Sequence, residues 1–206
     1  MQARANIRKT KSVTATLVVL FLMAALLLNT GLLVAINYGG FFDELKQELA
    51  PADAYFAIPD AIYTDEVKQY IEENAHVERT QTHEARWTGG QIESQGEEKS
   101  FTILFQNMDE KREMSKWKYI GEHLPADDMS VYLPDIFKAV SGYELGDQIT
   151  LRYTDEASGQ KQAMTFTVKG YTEDIFFSST DTGMMSFYLP EATYQKVSDR
   201  LQHPTN

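Results

Sequence analysis

The chain has 206 residues, 43% hydrophobic and 24% charged, with no cysteine and a net charge of −11. That is length for one domain, or a domain plus an anchor, and too short for a polytopic transporter acting alone. The hydrophobic fraction excludes a disordered chain, and the lack of cysteine excludes a disulfide framework, a cysteine zinc site and a thiol nucleophile.

Charge is unevenly placed. Arg4, Arg8, Lys9 and Lys11 are the only charged residues before Asp43. With four of the 19 basic residues in this tip, the other 15 face all 30 acidic ones, so the body carries −15. A basic tip on an acidic body argues against nucleic acid as a partner. It suits an acidic domain tied to membrane lipid.

Residues 13–36 read VTATLVVLFLMAALLLNTGLLVAI. As a helix this run spans roughly 36 Å, enough for a hydrocarbon core of about 30 Å. Its threonines can return their hydroxyls to the helix backbone. Asn29 is costly in lipid and is expected to face another helix or the outer interface. The run exceeds the 7–15 apolar residues typical of a signal peptide, and no A-x-A pattern follows, so a retained anchor is expected. The basic flank of Arg4, Arg8, Lys9 and Lys11 places the N-terminus in the cytoplasm. The body then lies outside the cell or inner membrane, on a single pass.

After Gly39-Gly40, Phe41, Phe42, Leu45 and Leu49 fall on one helical face, and Pro51 stops the pattern. The expectation is an amphipathic extension of the membrane helix, interrupted or loosened at the two glycines. Residues 54–58, AYFAI, read as a strand. Thr64 caps a helix through about Asn74, with Val67, Tyr70 and Ile71 as its buried stripe. Residues 76–87 and 91–98 read as two strands turning at Gly89-Gly90, and SFTILF (100–105) as a buried strand. A charged stretch, 108–119, is a helix or a long loop. Next come a strand (SVYL), a helix from Pro134 to Gly142, a turn at Gly146-Asp147, and strands QITLRY and MTFTVKGY joined through Ser158-Gly159. MSFYL is a last strand before a helix opened by Pro190.

The segment GEHLPADDMSVYLPDIFKAVSGYELGDQITLRY, followed by FTVKGYTED, resembles the extracytoplasmic core of MacB/FtsX-type ABC transporter permeases. The matching positions are Gly121, Pro125, Gly142, Gly146, Asp147, Ile149, Val168 and Gly170. NIRKTKSVTATLVVL resembles the opening of the first membrane helix in those permeases. The resemblance covers nearly the whole chain and implies an α+β fold: an N-terminal transmembrane helix, then an extracytoplasmic α+β domain with a smaller β-rich subdomain, like the MacB periplasmic core. The organisation expected is a cytoplasmic basic tip (1–11), a transmembrane helix (12–37), an α+β subdomain (38–120), a β-rich subdomain (121–184), and a return strand and terminal helix of the first subdomain (185–206).

The resemblance further implies a second permease copy and a cytoplasmic ABC ATPase as partners. ATP would bind that ATPase, and no cofactor is expected in this chain. Mechanical movement would couple the ATPase to export or release of substrate. Two departures stand out. Glu122 replaces a basic residue often found after the first glycine. The family also continues with three more membrane helices, so a chain ending at Asn206 is expected to be a permease fragment or a shortened relative. The alternative is a single-pass sensor or adaptor that binds an extracytoplasmic ligand or protein.

No enzyme is expected, because no nucleophile–base pair stands out. His76 and His83, seven apart on a presumed strand, fall on opposite faces, and no metal site is expected from them. Asp181-Thr182-Gly183 lacks the apolar strand and second copy of an aspartic protease. The pairs Asp127-Asp128 and Glu97-Glu98 read as solvated charge. Met164, Met184 and Met185 read as core. Phe176 and Phe177, beside a polar loop, are a candidate contact patch.

Overall fold

The computed structural model describes residues 11–155, 158–174 and 183–202. Arg4, Arg8, Lys9, Phe176, Phe177, Asp181, Thr182 and His203 lie outside the described residues. The chain divides into two compact units, residues 1–48 and 49–206.

The first unit is carried by helix α1, Lys11–Leu49. It is long and apolar enough to cross a membrane, which fits an anchor and a signal sequence alike. Thr30 Oγ1 donates back to the Leu26 carbonyl at 2.9 Å, as expected of a hydroxyl with no water to bond. The helix passes through Gly39-Gly40 without a break, which corrects the expected interruption. Glycine weakens a helix by about 1 kcal/mol but, unlike proline, keeps its N–H in the ladder. The break comes instead after Leu49, where Ala50 turns to a left-handed φ of 45° ahead of Pro51.

In the second unit, residues 54–58 form no strand, and Phe56 is 80% exposed. Prolines at both ends, Pro51 and Pro59, deny this short run the amides to extend its pairing. Helix α2 (Asp65–Glu72) starts as expected, with Thr64 Oγ1 accepting from the Val67 amide and two acids in its first turn. Its apolar face is not buried: Val67 and Ile71 are half-buried and Tyr70 is exposed. Residues 76–84 are irregular. Strand β1 (Ala85–Ser94) runs straight through Gly89-Gly90, and the hairpin to β2 (Glu97–Asn107) turns at Gln95-Gly96. Both turn residues have positive φ, 54° and 81°, the two-residue turn whose twist suits a hairpin.

After a loop over 108–117 come β3 (Lys118–Ile120), β4 (Ser130–Pro134), α3 (Asp135–Ser141), β5 (Gln148–Thr154), β6 (Lys161–Glu173), β7 (Met184–Leu189) and α4 (Glu191–Gln202). The fold is α+β, built on a mixed six-stranded barrel. Its strands run in the order β6-β4-β7-β2-β1-β5, and β5 closes back on β6. The β2–β7 and β4–β6 pairs are parallel and the other pairs antiparallel. Strands from 85–107 and from 130–173 thus share one closed sheet, which leaves few free edges.

Alternation sets the barrel interior. Ile103 and Phe105 of β2, Met164 and Phe166 of β6, and Met185 and Phe187 of β7 are almost wholly buried there. Phe137 of α3 packs edge-on to Phe101 and Phe187, with ring centroids 5.5 and 5.9 Å away.

Candidate functional site

The residues between β2 and β4 form a second layer over the outer face of the barrel. Interior positions on β2 and β7 alternate with Gln106, Ser186 and Tyr188, which are also buried. They are covered by the 108–117 loop and by β3. Trp117 lies 5.3 Å from the Tyr188 ring and 5.0 Å from Tyr119. Tyr119 packs on Tyr132 of β4 and stacks flat on His123 at 4.0 Å. Within this aromatic layer sits Arg112, its side chain only 4% exposed. Its guanidinium lies over the Tyr188 ring at 5.5 Å and donates to Gln106 Oε1 at 2.7 Å. Gln106 in turn donates to Ser186 Oγ at 3.1 Å.

Tyr188 donates to Asp174 Oδ2 at 2.8 Å. Burial first, and then the Asp174 carboxylate, push its pKa far above the ordinary tyrosine value. Tyr132 and Tyr194 are each raised to about 12, mainly by burial. All the resolved tyrosine shifts are upward, as befits phenols that hold a structure together by keeping their protons.

The loop over 108–117 is tied down from three sides. Gln81 Oε1 accepts from the Glu113 and Met114 amides at 3.1 and 2.7 Å. The Lys116 and Ser115 amides donate to the carbonyls of Leu49 and Ala50, each at 2.8 Å. Tyr55 OH meets Ser115 Oγ at 3.2 Å. From sequence this stretch reads as charged, a helix or a long loop. Trp117 and Tyr119 next to so many charges were the available signal, since paired aromatics tend to be covered.

The positions of the family-like motif converge on one point of β6. Here the register against β4 slips by one residue, between Val131 and Tyr132, so Lys169 bulges. Gly146 donates its amide to the Val168 carbonyl at 2.8 Å, and Val168 donates to the Asp147 carbonyl at 2.9 Å. Leu124, just before Pro125, donates to the Lys169 carbonyl at 2.7 Å. At Gly170 a Cβ would meet the Tyr132 ring at 2.8 Å and His123 Cβ at 2.9 Å, so only glycine lets the outer layer close. Gly142 ends α3 with a left-handed φ of 77°, and Tyr143 beside it accepts a bond from the Tyr171 hydroxyl. Asp147 Oδ2 caps its own turn by accepting from the Glu144 amide at 2.9 Å. Gly121 takes a φ of 69° where the chain leaves β3. Ile149 and Val168 are core.

Asp127 and Asp128 are not merely solvated. Lys169 Nζ donates to Asp127 Oδ2 at 2.6 Å, Ser130 Oγ lies 2.9 Å from Asp127 Oδ1, and Lys196 pairs with Asp128. The Lys169 ammonium, followed by the Ser130 hydroxyl, holds Asp127 below the usual carboxylate range, and Lys196 does the same for Asp128. Glu98 pairs with Arg152 at 3.0 Å. His76 and His83 do not share a strand, because 76–84 is irregular; His83 Nδ1 instead lies 2.9 Å from Glu110 Oε1. Met164 and Met185 are core, as expected, and Met184 is half-buried.

Among the described residues, Gly89, Gly90, Gln91, Ser100, Phe101, Thr102 and Gly183 line a shallow surface recess of about 330 Å³. Compared with protein-family models and with curated proteins, the chain matches none.

Proposed function

We propose that this chain is the membrane-anchored, extracytoplasmic part of an ABC transporter permease, moved by a partner ATPase in the cytoplasm. The observation that carries this reading is the pairing of two features in one chain: an apolar helix long enough to cross a membrane, and a barrel unit in which Gly146, Asp147, Val168 and Gly170 of the resemblance gather along β6. The basic flank of α1 supports the orientation. The upward tyrosine shifts and the Asp127–Lys169 and Asp128–Lys196 pairs support a scaffold that is moved.

The test uses the lack of native cysteine. The variant Gln160→Cys is expected to react with a membrane-impermeant maleimide in intact cells. Affinity purification in mild detergent is expected to retain an ATP-hydrolysing subunit in a defined ratio. Labelling only after lysis would overturn the orientation. Outward labelling with no ATPase retained would replace the transport reading with that of an anchored sensor or adaptor.

A further inference from the structure

We infer that helix α2 is the docking face for a basic amphipathic helix of a partner protein, with Tyr70 as its anchor. No residue from 51 to 84 is buried; each is half-buried or exposed. Helix α2 lies within this stretch. A helix of eight residues is marginal alone, and most helical stability comes from packing an apolar face. Here Val67 and Ile71 are only half-buried, and Tyr70 beside them is 76% exposed. The helix is nevertheless held at both ends. Thr64 caps its start, and Tyr63 OH meets Thr82 Oγ1 at 2.9 Å just before it. Just after it, the Val77 amide donates to the Asn74 carbonyl at 2.9 Å. The apolar arc of Val67, Tyr70 and Ile71 is thus presented by a defined element and left partly uncovered.

Helical spacing sets this arc beside a strip of acids. Glu66 precedes Tyr70 by four residues and Glu73 follows it by three, so both lie on its side of the helix. Lys68, the single basic residue of α2, falls on the far side by the same spacing. Among the described residues, no cation lies within ion-pair distance of Asp65, Glu66, Glu72 or Glu73. Asp60 and Glu84, nearer the ends of the stretch, are matched by Arg86.

Charge selects the occupant. Residues 51–84 carry eight acidic and two basic residues, a net −6, against −7 over the much longer stretch 85–206. A second copy would bring the same acids, and anionic lipid the same sign, so both are repelled. A small cation would satisfy the acids but leave the apolar arc wet. A helix with an apolar stripe edged by lysine or arginine covers the arc and neutralises the strip together. Its cations also reach the open face of the Tyr70 ring, and exposed aromatics of this kind are the usual anchors of an interface. This docking face is independent of the transport reading.

The full chain in nanodiscs of zwitterionic lipid is titrated against a fluorescent leucine–lysine peptide, an amphipathic helix of about five turns. Anisotropy is the readout. Saturable binding beyond that of empty nanodiscs is expected, with Kd rising at least about tenfold in Tyr70→Ala and in the double variant Glu66→Lys, Glu73→Lys. Tyr70→Phe keeps the ring and is expected to bind like the parent. These side chains are exposed, so the melting temperature is expected to stay put in every variant. A scrambled peptide of the same composition, and one with glutamate for lysine, are expected to bind at least about tenfold more weakly. No binding beyond empty nanodiscs up to about 1 mM peptide overturns the proposal. Equal affinity for the variants, or for the scrambled peptide, overturns it as well. So does a label on Asn74→Cys that cross-links to a second copy, or is quenched by spin-labelled lipid, with no peptide present; another copy or the lipid then occupies the face.

Discussion

Gly90 and Gly170 are held to glycine by neighbours far away in sequence. At Gly90 the obstacle is the backbone of β5, and at Gly170 it is the Tyr132 ring together with His123. Alanine at either position forces the backbone or a packed ring aside, at a cost of about 1–3 kcal/mol. Urea unfolding of Gly90→Ala and Gly170→Ala should show that loss as a lower midpoint with an unchanged slope. These contacts explain which glycines could be read from sequence. Gly142 and Gly146 act through local backbone geometry, so a helix end and a turn were legible. Gly89-Gly90 reads from sequence as a hairpin turn because the reason for Gly90 lies in Leu151 and Arg152 of β5. The true turn, Gln95-Gly96, lacks the Asn or Asp that usually announces it. The Arg112 cluster is illegible in sequence because the ring its guanidinium covers, Tyr188, comes from β7, although its hydrogen-bond partner Gln106 lies close by in sequence.

Elements with strong local signals were found in order and nearly in place. These include the capped start of α2, the strands β4 to β7, and the helices beginning after Pro134 and Pro190. The AYFAI segment forms no strand because a strand needs a partner edge, and Pro51 and Pro59 at its ends cannot donate to one. Helix α1 teaches the converse. Its glycines carry no packing role, since a Cβ at Gly39 or Gly40 meets nothing within 4 Å. Replacing both with alanine should favour the helix by about 1–2 kcal/mol in total. In the full chain in nanodiscs, amide exchange around these positions should slow, while the melting of the barrel unit stays put. A matching change in barrel melting would contradict the division into two units.

For the whole molecule, the tyrosines set an alkaline limit. Tyr132 and Tyr194 are raised to about 12, and Tyr119, Tyr143, Tyr153, Tyr171 and Tyr188 are raised as well. Folding therefore favours their protonated form. The resulting stability is fully present below the unfolded tyrosine value of about 10 and is lost as pH climbs from there through the folded values. In a variant whose other four tyrosines, Tyr38, Tyr55, Tyr63 and Tyr70, are replaced by phenylalanine, tyrosinate absorbance should appear together with unfolding, not before it. Early, reversible ionisation with the fold intact would show that these phenols are solvated.

The parallel pairing of β2 with β7 has a consequence for how the protein is made. Gln106 and Ser186 touch across 80 positions of chain, and β7 lies between β4 and β2 in the closed sheet. Until residues 184–189 emerge, the β1–β2 hairpin has a bare flank that invites pairing with other chains. By then α1, which precedes every barrel strand in the chain, has long since been synthesised. The barrel is thus closed only after the helix is made, and the interval before β7 arrives is when this protein most depends on protection from its neighbours.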